Sequence, residues 1–193
     1  MGRLVPYKGF AYLIDAMGRL PDNYHLVIGG SGPLRDALTA RIRSNGLERR
    51  VTMLGFVPFQ DLPAWYGACD LFVLSSVMKT EAFGIVQIEA MSCGKPVVAT
   101  RIPGSGVSWV NQDGVSGVNV PPEDAAALAH AIMKVNGNSA GFGEGARRLF
   151  EERYLFDRMI DRVQAVYAGL SAQGASSDAK DVAKLRKNRY ICE

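Results

Sequence analysis

The chain is poor in the residues that hold metals and close disulfides. Its three cysteines, Cys69, Cys93 and Cys192, lie far apart with no CxxC pair, which argues against both a disulfide framework and a zinc site and fits a reducing compartment. It has only two histidines: His25 sits in an apolar strand-like run and His130 in a helical one, places that suit packing or surface roles better than catalysis. No apolar stretch reaches the roughly 18 residues needed to span a bilayer, and Met1 is followed directly by Gly-Arg rather than by a signal-peptide pattern. The expected location is therefore cytoplasmic, at most membrane-peripheral. The net charge is only +3, and Lys184, Arg186, Lys187 and Arg189 near the C-terminus supply much of it. No long basic face remains to suggest a nucleic acid partner.

What is present is an ordinary globular composition, 48% hydrophobic and 21% charged over 193 residues, enough for one buried α/β domain and a tail. Phe10, Leu13, Ile14 and Met17 share a helical face, and Tyr24 to Ile28 then form a short apolar run ended by Gly29-Gly30. The alternation continues with a helix through Leu34, Ala37, Leu38 and Ile42, a strand Val51 to Leu54, and a short helix Asp61 to Ala68. A strand Leu71 to Leu74, a helix Phe83 to Ser92, a strand Pro96 to Ala99 and a strand Gly117 to Val120 follow. Pro121-Pro122 reads as the opening of a helix whose Ala127, Leu128, Ala131 and Ile132 face inward. Strands apolar on both faces and separated by helices imply a parallel sheet covered on two sides. The expected fold is α/β, a Rossmann-like doubly wound parallel sheet over residues 1–135. Residues 136–145 read as a small-residue linker within a 136–170 segment of C-terminal helices, and 171–193 as a polar, disordered tail. In such a sheet ligands bind beyond the carboxyl ends of the strands, after Ile28, Leu54, Leu74 and Ala99.

The stretch from Ser75 to Met91 runs from a strand end through a loop into a helix and carries two carboxylates, Glu81 and Glu89. The amides of Phe83, Gly84, Ile85 and Val86 at the helix start, with the helix dipole, suit a phosphate or another electron-rich ligand. Gly84 lets that backbone come close. Glu89 lies about one and a half turns further on, so the two acids can address different parts of one ligand. Taken singly, Glu81 is also what a helix N-terminus favours and Glu89 what a solvated face shows.

The full pattern, with Phe-Gly between the two acids and Glu89-Ala90-Met91 leading to Gly94-Lys95-Pro96-Val97-Val98-Ala99-Thr100, closely resembles glycosyltransferase family 4. The match extends through Gly2 to Gly9, Ile28 to Pro33, Gly55-Phe56-Val57 and Gly114 to Pro122 in the order of that family's C-terminal half, over roughly residues 2 to 170. The resemblance implies a retaining GT-B enzyme in which this half binds the nucleoside diphosphate sugar. It implies no metal or other cofactor. By the same resemblance Arg3 and Lys8 look like the pair on the donor diphosphate, Glu81 like the carboxylate near the transferred sugar, and Glu89 like the ribose ligand. Backbone at Phe83, Gly84, Ile85 and Val86 would meet sugar and phosphate, Gly30 would admit the donor closely, and Phe56 and Val57 would form the nucleobase edge. Away from that pattern, Arg3 and Lys8 read as solvated charges near a chain end.

The family carries an apolar strand before Gly-Arg-Leu, where this sequence has only Met1, and a whole N-terminal domain supplying most of the acceptor site. Partners implied are therefore that N-terminal GT-B domain, in cis or in trans, and a lipid-linked or membrane-peripheral acceptor. The isolated chain is expected to be inactive. An alternative is a non-catalytic nucleotide-sugar-binding module. A dinucleotide oxidoreductase fits less well, because the turn Gly30-Ser31-Gly32 has Arg35 at the third glycine position and follows the second element.

Overall fold

The computed structural model describes residues 1–174, with side chains described to Leu170; the segment 171–193, expected as a polar tail, lies outside the residues so described. Two units emerge, Met1–Glu151 and the residues from Glu152 on. In the first, helices alternate with short strands as the periodicity requires: α1 (Phe10–Met17), β1 (Leu26–Gly29), α2 (Arg35–Ser44), β2 (Val51–Gly55), α3 (Leu62–Ala68), β3 (Phe72–Leu74), α4 (Ile85–Ser92), β4 (Val97–Thr100), α5 (Val107–Val110), β5 (Gly117–Val120) and α6 (Ala125–Asn136). Every described strand pair is parallel.

The expected α/β architecture with parallel strands is present, with one refinement. The strands form two sheets, β1-β2 and β3-β4-β5. Among the described residues no strand joins β1 to β3. The open edge of β1 is met only by the start of the chain, where the Gly2 amide donates to the Gly29 carbonyl at 2.9 Å and the Leu4 amide to the Ser31 carbonyl at 2.9 Å. One apolar cluster nonetheless unites both sheets, with Ile28 and Val51 from the first, Val98 and Val120 from the second, and Leu13, Ile14, Leu128 and Ile132 from α1 and α6. α6 packs against α1 and covers β4 and β5.

Two local expectations also change. The last helix of the α/β core starts at Ala125 rather than at the proline pair, because Asp124 caps it by accepting the Ala127 amide at 2.8 Å. Residues 136–145 are not a linker: α6 runs to Asn136, and α7 spans Ser139–Arg153. The glycines there are packing residues, since a Cβ on Gly145 would lie 2.1 Å from the Val115 carbonyl oxygen. The second unit holds α8 (Phe156–Gly174), with Phe156, Ile160, Val163 and Tyr167 at helical spacing on one face. Arg162 donates to the carbonyls of Glu152 at 3.2 Å and Arg153 at 3.4 Å, serving the last carbonyls of α7.

Met1 is drawn against β1, and its sulfur sits where a Cβ on Gly29 would lie only 2.2 Å away. Its α-amino group is desolvated, with Lys8 nearby, which pushes its pKa from 8.0 down to about 6. The unfolded chain keeps that proton up to about pH 8 and the folded chain loses it above about pH 6, so the unfolded state binds more protons in between. Stability should therefore rise from pH 6 to pH 8, by at most about 2–3 kcal/mol. Denaturant melts across that window should show the rise, and acetylation of the amine should flatten it.

Candidate functional site

The site is built where the turn Pro6–Lys8 meets the carboxyl end of β3. Gly9 adopts φ 67°, and a Cβ there would lie 1.9 Å from the Ser75 carbonyl oxygen, so only glycine lets the turn approach so closely. The contact is pinned by the Val77 amide donating to the Tyr7 carbonyl at 2.8 Å and by the Ser75 hydroxyl donating to the Lys8 carbonyl at 3.0 Å. That delivers the Lys8 ammonium to Glu81, with Nζ to Oε2 at 2.5 Å. The same oxygen accepts the Ser76 hydroxyl at 2.8 Å. Glu81 is 9% exposed, and two donors on one carboxylate oxygen offset the cost of burying its charge.

The loop from Met78 to Gly84 is clamped from behind. Ser105 Oγ donates to the Glu81 carbonyl at 2.5 Å, and the Gly106 amide donates to the Ala82 carbonyl at 2.7 Å. Gly84 then takes φ 72° as the cap residue of α4. The helix consequently begins at Ile85, two residues later than its apolar pattern indicates. Gln87, fully buried, ties the entry by donating its side-chain amide to the Phe83 and Val107 carbonyls, each at 3.3 Å. Further along α4, Glu89 accepts the Tyr66 hydroxyl of α3 at 2.8 Å. Burial and the adjacent Glu89 carboxylate hold the Tyr66 hydroxyl far above its ordinary pKa, so it remains a donor.

Of the residues singled out from the sequence, Lys8 and Glu81 are in direct contact. Arg3 is exposed and donates to the Tyr7 hydroxyl at 3.3 Å. Gly30 lies against the chain start, where a Cβ would fall 1.7 Å from the Gly2 carbonyl oxygen. Val57 packs near Gly29, while Phe56 is 75% exposed. Phe83 and Ile85 are exposed, and the Phe83 ring stands 5.9 Å from that of Trp109. Val86 is half-buried on the first turn of α4. Glu89 lies apart from the Lys8–Glu81 pair but shares with Lys8 an electrostatic influence on the Met1 amine. His25 and His130 are both exposed. Ser76, Ser105 and Gln87 carried no sequence signal, since single polar residues inside apolar runs resemble loop or surface positions. Among the described residues no group of three or more His, Cys, Asp or Glu side chains could hold a metal ion, and no helix is long and apolar enough to cross a membrane.

The arrangement offers cations, a buried carboxylate and a glycine-led helix start on one rim of a parallel α/β unit, which is the equipment for an anionic, hydroxyl-rich ligand. Residues 1–151 match the family model described as glycosyl transferases group 1. The O-antigen chain mannosyltransferase C of Escherichia coli is 36% identical over 169 residues, covering 85% of this chain and 44% of that protein. Among solved structures, Anabaena Alr3699/HepE in complex with UDP superposes with a TM-score of 0.76 at 31% identity, over 89% of this chain and 48% of that one; it has also been solved with UDP-glucose. Sucrose-phosphate synthase (tll1590) from Thermosynechococcus elongatus superposes with a TM-score of 0.76 at 28% identity, over 89% of this chain and 45% of that one. The chain spans less than half the length of the curated relatives it matches at this level.

The Tyr66–Glu89 bond is the contact that orients the second carboxylate. Replacing Tyr66 by Phe should lower stability by about 1.5–3 kcal/mol, the range for a hydrogen bond to a charged group, measured as a shift of the urea midpoint at constant slope.

Proposed function

The chain belongs to the glycosyl transferases group 1 family, and from that premise we propose that it is the donor-binding half of a retaining, family 4 hexosyltransferase of GT-B type, completed in cis or in trans by an N-terminal acceptor domain. The observation that carries the proposal is the Lys8–Glu81 pair held beside the α4 entry at the strands' carboxyl ends. In this reading Lys8 and Arg3 bind the donor diphosphate. Negative charge grows on that group as the bond to the sugar breaks, so fixed cations there stabilise the transition state more than the ground state. Donor binding draws Lys8 partly from Glu81 to phosphate and leaves the carboxylate to accept hydroxyls of the transferred sugar, with Ser76 keeping it in place.

Glu89, oriented by Tyr66, takes the ribose hydroxyls. The backbone of Phe83, Gly84, Ile85 and Val86 meets sugar and phosphate, Gly30 leaves room for the donor, and Phe56 and Val57 flank the base. A structural neighbour that binds UDP and UDP-glucose supports a nucleoside diphosphate sugar as ligand. The reaction needs no metal in this scheme, because Arg3, Lys8 and the α4 amides supply the positive potential. A lipid-linked or membrane-peripheral acceptor would be held mainly by the N-terminal domain, and the reading places the enzyme in the cytoplasm. The second reading is a nucleotide-sugar-binding module without turnover of its own.

Titration calorimetry with UDP, GDP and ADP sugars should show binding of one class, weakened about 10- to 100-fold by Arg3→Ala, Lys8→Ala or Glu89→Ala, as loss of a charge-assisted hydrogen bond requires. Folded protein that binds none of them would remove the proposal. Sugar transfer on co-expression with an N-terminal domain would exclude the module reading.

A further inference from the structure

Phe83 and Trp109 form an exposed aromatic pair beside the α4 entry, with ring centres 5.9 Å apart and planes inclined by 40°. Trp109 is 55% exposed, and Ile85, two residues beyond Phe83, is 65% exposed. Apolar surface left open to water is unfavourable, yet the backbone beneath these rings is fixed rather than loose. Gln87, fully buried in α4, donates to the carbonyls of Phe83 and Val107, and so ties the loop that carries one ring to the helix that carries the other. The Gly106 amide holds the Ala82 carbonyl at 2.7 Å, and the Ser105 hydroxyl holds that of Glu81. Gly106 also makes room for the first ring, since a Cβ there would lie 3.1 Å from Phe83 Cδ2. The pair is therefore preorganised, which lets a stacking surface bind at low entropic cost.

We propose that Trp109 and Phe83 are an acceptor subsite on this half of the enzyme, a platform on which the acceptor's terminal sugar ring stacks. The inference rests on the donor-site reading of Glu81 and extends it. Phe83 is two residues from Glu81 on the same clamped loop, so the platform stands at the sugar end of the donor, while Phe56 and Val57 serve the base. The group that must lie beside the transferred sugar is the acceptor. A pyranose ring has an apolar C–H face that covers an aromatic ring and a rim of hydroxyls that needs polar neighbours. Lys79 and Thr80, exposed in that loop, and Ser108, next to Trp109 in the chain, supply such neighbours. A prenyl chain, in contrast, calls for a continuous apolar trough, and these polar positions interrupt the patch. Acceptor choice is on this account shared between the two halves of the enzyme.

The test follows the Trp109 indole N–H and the Ile85 methyl groups of the full chain by NMR. Methyl glycosides of mannose, glucose and galactose and a short prenyl phosphate are titrated in, with and without saturating UDP or GDP sugars. At least one glycoside should shift both signals saturably, with Kd on the order of 1–10 mM, whether or not nucleotide sugar is present. Trp109→Ala should weaken that binding about 5-fold or more, read at Ile85, and Trp109→Phe should recover much of it, while nucleotide-sugar affinity stays within about twofold in both variants. No response to any glycoside, or a response to the prenyl phosphate alone, overturns the proposal. Displacement of the glycoside by nucleotide sugar also overturns it, by assigning the rings to the donor. Nucleotide-sugar affinity is read separately by calorimetry, so failure of the donor reading is distinct from failure of this subsite.

Discussion

Glu81 is itself nine-tenths buried within an otherwise largely exposed loop, a place where an isolated carboxylate would be costly. Lys8, from a turn 73 residues earlier in the chain, and Ser76, from the end of β3, meet that charge on one oxygen. The turn reaches that far only because Gly9 presses against the Ser75 carbonyl without a Cβ. The loop stays there only because Ser105 and Gly106 hold its outer carbonyls. Remove the ion pair, and the chain start, the β3 end and the α4 entry lose their common anchor. The same contact unites sequence, packing and chemistry: a cation required by the fold is placed where an anionic ligand would need it.

Helix α4 transmits that anchor along its length. Its entry is set by Gly84 and Gln87, and five residues past that cap Glu89 is fixed by Tyr66, which packs edge-on against Phe72 at 5.7 Å between ring centres. The two carboxylates are thus held by different elements, one by charge at the strand ends and one by a phenol from α3. Beneath them the core is shared between two sheets although their backbones do not pair. Side-chain burial is continuous where hydrogen bonding is interrupted, because the helices α1 and α6 supply apolar contacts that need no strand register.

The parallel α/β architecture was legible because Val97 to Thr100 and the other strands are apolar on both faces, and because helical spacing between them is regular. The split of the sheet was not legible, since periodicity reports how a strand is buried but not which strand lies beside it. Gly141, Gly143 and Gly145 misled by composition: their small size serves close packing in α7, as the Gly145 approach to Val115 shows, rather than a flexible link. At the last helix of the core, the proline pair drew attention away from Asp124, whose spacing to Ala127 is the better start signal. In the site, residue types were readable from the family pattern, and the structure brings two of those residues, Lys8 and Glu81, into contact. Ser76, Ser105 and Tyr66 act through tertiary contacts that no local pattern encodes.

A double-mutant cycle on Lys8→Met and Glu81→Gln tests the central claim most directly. If the pair anchors the site, the two substitutions should couple by about 1.5–3 kcal/mol in unfolding free energy, and either alone should weaken binding of the nucleoside diphosphate sugar by about 10- to 100-fold. Additive effects on stability, with binding retained in the single variants, would contradict it.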